Sequence, residues 1–194
     1  MNADRAESPG CESPGRKPRR LEAWVSIPAR TFPALYGRRR RLTQHEQFAG
    51  RLPPGLAYRL PTEAEWEFAA HGRTGSRFGF GDDPDQALLA SYAWFKDNSG
   101  GVAHDVGLKL PNPRGLFDLE GNVLEFCLDL VAPYPGGTVT NLVDRMNVAS
   151  VVCRGEAFES PTVGCLTANR WFMFPEFGSK DPGFRVVLAA PVQP

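Results

Sequence analysis

Three groups of residues in this sequence have types and spacings suited to chemistry. The first is Asp118-Leu119-Glu120-Gly121-Asn122-Val123-Leu124-Glu125, in which carboxylates bracket a Gly-Asn turn. Such a turn can present hard oxygens around one point, the ligand set that a calcium ion prefers. The plainer reading is that Asp118 and Glu125 only cap and solvate the turn. The second group is the histidines, His45, His71 and His104, which show neither H-x-x-H nor H-x-E spacing. Glu67 and His71 stand four residues apart on an expected helix and, with His104, would make a two-histidine, one-carboxylate iron site. A solvated Glu–His pair near a helix C-terminus explains the same residues without metal. The third group is four cysteines, at 11, 127, 153 and 165, whose spread does not make a disulfide scaffold. Cys127, between Phe126 and Leu128, reads most simply as a buried thiol. Ser-His-Asp chemistry has no positional support, and no G-x-x-x-x-G-K phosphate loop occurs.

These residues must be placed by short elements. Thr62-Glu63-Ala64-Glu65, preceded by Pro61, is a capping box opening a helix, and its acidic first turn suits the positive end of the helix dipole. Ala64 and Phe68 share one face of that helix and Trp66 and Ala70 another, with Gly72 as the stop. Thr43-Gln44-His45-Glu46 fits a second capping box, and Gly50 can end its helix. Beyond Gly72, turns alternate with short apolar segments at 77–80, 92–95, 116–119, 148–153 and 183–190. Eighteen prolines and 20 glycines in 194 residues fit this reading. It describes an α+β domain of short strands, few helices and long irregular loops rather than a βαβ array.

Charge divides the chain. Residues 1–41 carry 10 Lys/Arg against 4 Asp/Glu, and residues 42–194 carry 12 against 18. The first segment is rich in Arg, Pro, Gly and Ala and shows no period, so it reads as a disordered basic leader, with the folded domain at 42–194. Over the whole chain the charges balance to zero, which gives it no pull toward nucleic acid or an anionic membrane. No apolar run approaches a membrane span and no secretory h-region is seen, so the expected location is cytoplasmic.

"YRLPTEAEWEFAA" at 58–70, "GLFDLEGNVLEFCLDL" at 115–130, "RG" at 154–155, "CLTANR" at 165–170 and "GFRVVLA" at 183–189 follow one another in order. Together they resemble the formylglycine-generating enzyme family, also called the sulfatase-modifying factor domain, over roughly residues 42–190. The resemblance implies a variant of the C-type-lectin fold, and it implies that the family's N-terminal part is truncated or replaced here. It also implies a structural calcium held by the Asp118 and Glu125 side chains and the Gly121 and Val123 carbonyls. A second family calcium site near 92–106 is not recognisable: Trp94 stands where an Asn is expected, with Asp97, Asn98 and Asp105 as loose substitutes.

Catalytic members of the family use copper(I), held by a closely spaced cysteine pair, and oxygen to convert a substrate cysteine to formylglycine. Soft thiolates suit copper(I). In the matching stretch, "RGEAFESPTVGCLTANR", only Cys165 is present, and Ser160 and Thr162 stand near the positions that need thiolates. Cys153 and Cys165 are the remaining weak catalytic candidates, so copper(I) is not expected. Change on a fixed frame is what a binding surface allows. Lectin-fold relatives serve as variable proteins of diversity-generating retroelements, which offers a further alternative. Glu156, Phe158, Trp171, Phe172, Phe174 and Phe177 are accordingly the expected surface for a protein or small ligand in the 156–180 loops, unless the aromatics form core. An active oxidoreductase maturing sulfatases is the competing reading. Arg185 and Arg170 are expected to place guanidinium groups beneath the loops, with Glu125 or Asp129 as partners. Gly121 and Gly183 are expected at positions of positive φ or close backbone approach.

Overall fold

A computed structural model describes residues 32–72, 75–131, 133–134, 150–174 and 182–192, the side chains of 32–39 excepted. In chain order the elements are α1 (Phe32–Phe48), β1 (Ala57–Arg59), α2 (Glu63–Ala70), α3 (Leu89–Tyr92), β2 (Leu124–Leu130), β3 (Val151–Arg154), a 3-10 turn (Thr162–Gly164), β4 (Arg170–Met173), β5 (Pro182–Gly183) and β6 (Val187–Ala189). The α+β reading holds.

Helix α1 starts 11 residues before Thr43, inside the segment read as a leader, and runs across the boundary placed at 42. Pro33 sits in its first turn, where a missing N–H costs nothing. Thr43 is therefore mid-helix and caps nothing; its hydroxyl instead accepts the Tyr58 N–H at 3.1 Å and ties α1 to β1. Residues 1–31 lie outside the described residues.

Helix α2 forms as its sequence predicts. Thr62 is extended, its hydroxyl accepts the Glu65 N–H at 3.2 Å, and the Glu65 carboxylate accepts the Thr62 N–H at 2.8 Å. Gly72 ends it at φ +64°, and a Cβ there would collide with the Gly79 carbonyl. Trp66 and Ala70 press against the sheet.

The main sheet runs β4-β3-β2-β5, with β2·β3 and β3·β4 antiparallel and β2·β5 parallel; β1 and β6 form a separate two-stranded ribbon. Strand alternation divides the interior. Phe126, Val151 and Cys153 face Leu60 and Phe184, whereas Cys127 and Val152 face Trp66, Ala70 and Leu119. A third cluster, Phe78, Leu89, Ala93, Phe95 and Cys165, lies under the loops. No described helix is long and apolar enough to cross a membrane.

Candidate functional site

The turn before β2 brings the predicted carboxylates together but gives them other partners. Glu125 is fully buried; its Oε1 accepts Arg185 Nη2 at 2.7 Å, and its Oε2 accepts both Arg185 Nε and the Trp66 indole N–H at 2.6 Å. Arg185 thus meets the expected partner Glu125. Asp118 lies in the left-handed region at φ +57°, and its Oδ2 accepts the Gly107 N–H at 2.8 Å. Its Oδ1 is buried without a hydrogen-bond partner among the described residues, and burial raises its pKa above the usual carboxylate range. Asn122, at φ +75°, clasps the His104 backbone, accepting its N–H at 2.8 Å and donating to its carbonyl at 3.1 Å.

The set Asp118, Gly121, Val123 and Glu125 does not fit a calcium ion. Both Glu125 oxygens are engaged by a guanidinium, which already neutralises the carboxylate and repels a second cation beside it. The Gly121 carbonyl accepts the Val123 N–H at 3.1 Å, folding the turn on itself. Neither Gly121 nor Gly183 has positive φ; the close approach is the operative property, since a Cβ on Gly121 would strike the Trp94 carbonyl. Glu120 lies beside this turn, accepting the Gly79 N–H at 2.8 Å, and burial lifts its pKa to about 7.

The thiols are apart. Cys153 faces the Phe126–Phe184 cluster and Cys165 the Phe78–Phe95 cluster, so the two weak catalytic candidates do not form a pair. Both are free and buried. Burial pushes the Cys165 thiol up to about 12, aided by the nearby carboxylates of Glu156, Glu120 and Asp97, and raises Cys153 still further. Cys127 is buried as expected and is likewise held protonated by burial. Nucleophiles and soft-metal ligands need the thiolate, which these environments disfavour.

The expected binding surface is only partly a surface. Phe158 is 4% exposed and belongs to the core, and Glu156 is buried, its Oε1 accepting the Trp171 indole N–H at 2.7 Å. Both depart from the expectation because the backbone after Gly155 (φ +76°) turns them inward. Trp171, Phe172 and Phe174 are 44%, 62% and 44% exposed, on or just after edge strand β4. Phe172 pairs with Val152 and so shares the α2 side of the sheet, while Trp171, paired with Cys153, takes the other. Phe177 lies outside the described residues.

One polar cluster was not anticipated as a unit. Glu63 and Glu67, i and i+4 on α2, face the fully buried Arg154 of β3. Arg154 Nη2 donates to Glu67 at 2.6 Å and Nη1 lies 3.5 Å from Glu63. Arg170 Nε meets Glu63 at 2.9 Å and stacks 4.5 Å above the Tyr134 ring, and its charge also acts on the expected partner Asp129. The Tyr134 hydroxyl donates to Glu63 at 2.7 Å. Asp129 accepts the Glu63 N–H at 2.6 Å, and burial, then the charge of Glu63, raises its pKa to about 6. His71 stands 3.5 Å from Glu67, but His104 stacks on Trp94 and contacts the Ser99 carbonyl, so the iron grouping does not assemble. The Glu63/Glu67 spacing was the available sequence signal; Arg154 and Tyr134 are distant in sequence and gave none.

A short mixed sheet under a single capped helix, with long loops and a buried Glu–Arg pair at its centre, defines a C-type-lectin-like domain. The chain belongs to the sulfatase-modifying factor family: a model of the sulfatase-modifying factor enzyme 1-like domain matches residues 18–190. The formylglycine-generating enzyme of Streptomyces coelicolor is 30% identical over 146 residues, covering 66% of this chain and 45% of the enzyme. Among solved structures, Treponema denticola variable protein 1 superposes with a TM-score of 0.63 at 35% identity, over 70% of this chain and 48% of that one. PvdO from Pseudomonas aeruginosa gives 0.64 at 25% identity, over 80% and 59%. The chain spans less than half of the Streptomyces enzyme and of the variable protein.

Proposed function

We propose that this domain acts as a binding module of its family rather than as a copper(I) oxidase, holding a protein or small ligand at the exposed aromatics of its C-terminal loops. The observation that carries this reading is the separation of Cys153 and Cys165 into two different core clusters, each with its thiol protonated. Oxidation of a substrate cysteine through copper(I) requires two thiolates on one ion. Large exposed side chains at Trp171, Phe172 and Phe174 are of the type that anchors interfaces. Similarity to a variable protein supports the same reading. The test is mass spectrometry of a Cys-x-Pro-x-Arg peptide incubated with the copper(I)-loaded chain under oxygen. The expected result is an intact thiol, from protein first shown to melt cooperatively. Aldehyde formation would overturn the reading in favour of the oxidoreductase.

A further inference from the structure

The main sheet has two edges, and they are finished differently. Strand β5, on one side, is two residues long and begins with Pro182, whose missing N–H cannot join a ladder. Strand β4, on the other, runs Arg170-Trp171-Phe172-Met173 and carries no proline, lysine or bulge. Its register with β3 is unbroken, residue for residue from Val151↔Met173 to Arg154↔Arg170. Antiparallel pairing uses the N–H and C=O of alternate residues and turns the others outward. Among the described residues no strand lies beyond β4 to receive them. Such an edge is a template for another extended backbone.

The side chains say which backbone fits. Phe172, 62% exposed, stands on the α2 side of the sheet, and Trp171, 44% exposed, stands with Met173 on the other. Arg170 is the one charged residue of the strand, and Glu63 meets it at 2.9 Å, so β4 does not repel a like strand. Trp171 is already held by its indole bond to the buried Glu156, so ordering it on contact costs little side-chain entropy. Two copies of β4 laid antiparallel are related by a two-fold axis normal to the sheet, which keeps each residue on its own face. With Phe172 on that axis, Phe172 opposes Phe172, and Trp171 opposes Met173 twice. Both are favourable cross-strand pairs, ring against ring and ring against thioether. Because β5 is blunted, pairing closes at two copies instead of extending into a ribbon.

We propose that two copies of this chain join β4 to β4, antiparallel, into one continuous sheet with four strands from each copy. The proposal rests on the reading of the C-terminal aromatics as a binding surface, and it names their occupant as a second copy of this chain. A four-residue strand makes a small contact, in the class below about 1,200 Å² that holds reversible complexes. The dimer therefore forms with a dissociation constant on the order of 10–100 μM.

The test is sedimentation equilibrium of the whole chain from about 1 to about 300 μM, which brackets that constant. A monomer–dimer equilibrium with no larger species is expected. Amide hydrogen exchange at the two ends of this range is expected to slow with concentration at 170–174, the mark of main-chain pairing. Phe172→Lys places a charge at the centre of the edge and raises the dissociation constant by at least about tenfold. Its position is exposed, so the melting temperature of the dilute chain stays unchanged. Phe48→Lys, the same substitution at a 97% exposed position on α1, leaves the dimer intact and separates strand pairing from general stickiness. A chain that stays monomeric, a dimer that Phe172→Lys leaves intact, or a dimer without protection at 170–174 overturns the proposal. The copper assay tells this failure from failure of the binding reading. A monomer that leaves the peptide thiol intact keeps the aromatics for a different partner, whereas aldehyde formation removes the binding reading itself.

Discussion

Glu125 decides more of this structure than any other residue, because a fully buried carboxylate must have its charge answered. Arg185 answers it with two hydrogen bonds and Trp66 with one. Arg185→Met leaves the carboxylate buried and unpaired, and we expect a loss of about 3–5 kcal/mol in denaturant unfolding. The same arrangement makes calcium superfluous: the melting temperature is expected to be unchanged between excess calcium and excess chelator, whereas a calcium-dependent rise of several degrees would restore the metal site. The sequence made Glu125 and Arg185 recognisable as charged partners. It could not choose between a metal and Arg185 as the answer to that charge, because a Gly-Asn turn flanked by carboxylates reads the same whether it is met by an ion or by a guanidinium 60 residues on. Within this turn Asp118 and Asn122, rather than Gly121, take the left-handed conformations, since short polar side chains that bond locally tolerate that region.

Two T-x-x-E segments look alike in sequence and only one is a cap. Thr62 follows Pro61, is extended and begins α2; Thr43 sits within α1, which has already begun at Phe32. Thr62→Ala is therefore expected to cost about 1 kcal/mol, with Thr62→Ser retaining most of it. Urea unfolding of the two variants checks this, and equal losses would show that the hydroxyl is not the source. Helix α2 was legible because its start, its buried face and its stop are all local. Strand β4 was legible only in part. Its aromatics were identifiable, but their division between two faces of the sheet depends on the register with β3, as does the burial of Glu156 against Trp171. The polar cluster under α2 was not legible, because Glu63 meets Arg170 across 107 residues.

Several acids are buried among the described residues, and they set how stability responds to pH. Burial raises Glu120 to about 7 and Asp129 to about 6, and it also raises Asp118, Glu125 and Glu156. A carboxyl whose folded pKa lies above its unfolded value holds its proton more tightly when folded. Stability then falls as pH rises from the unfolded value toward the folded one. For Glu120 that window runs from 4.5 to about 7, a loss on the order of 3 kcal/mol. Glu46 works in the opposite sense. Its bonds to Arg51 and His45 hold it near 2, so its contribution is present above 4.5 and disappears as pH falls through about 2. Stability is thus expected to peak in acidic solution, between about pH 4 and 4.5, and to decline toward pH 8. Glu120→Gln should keep the Gly79 contact through its amide oxygen while removing the ionisation. Guanidinium melts across this range should then show the wild type losing stability above about pH 5 and the variant losing markedly less. A wild-type stability that rises from pH 5 to 8, or a variant with the same slope, would mean that Glu120 is not the buried acid controlling the response.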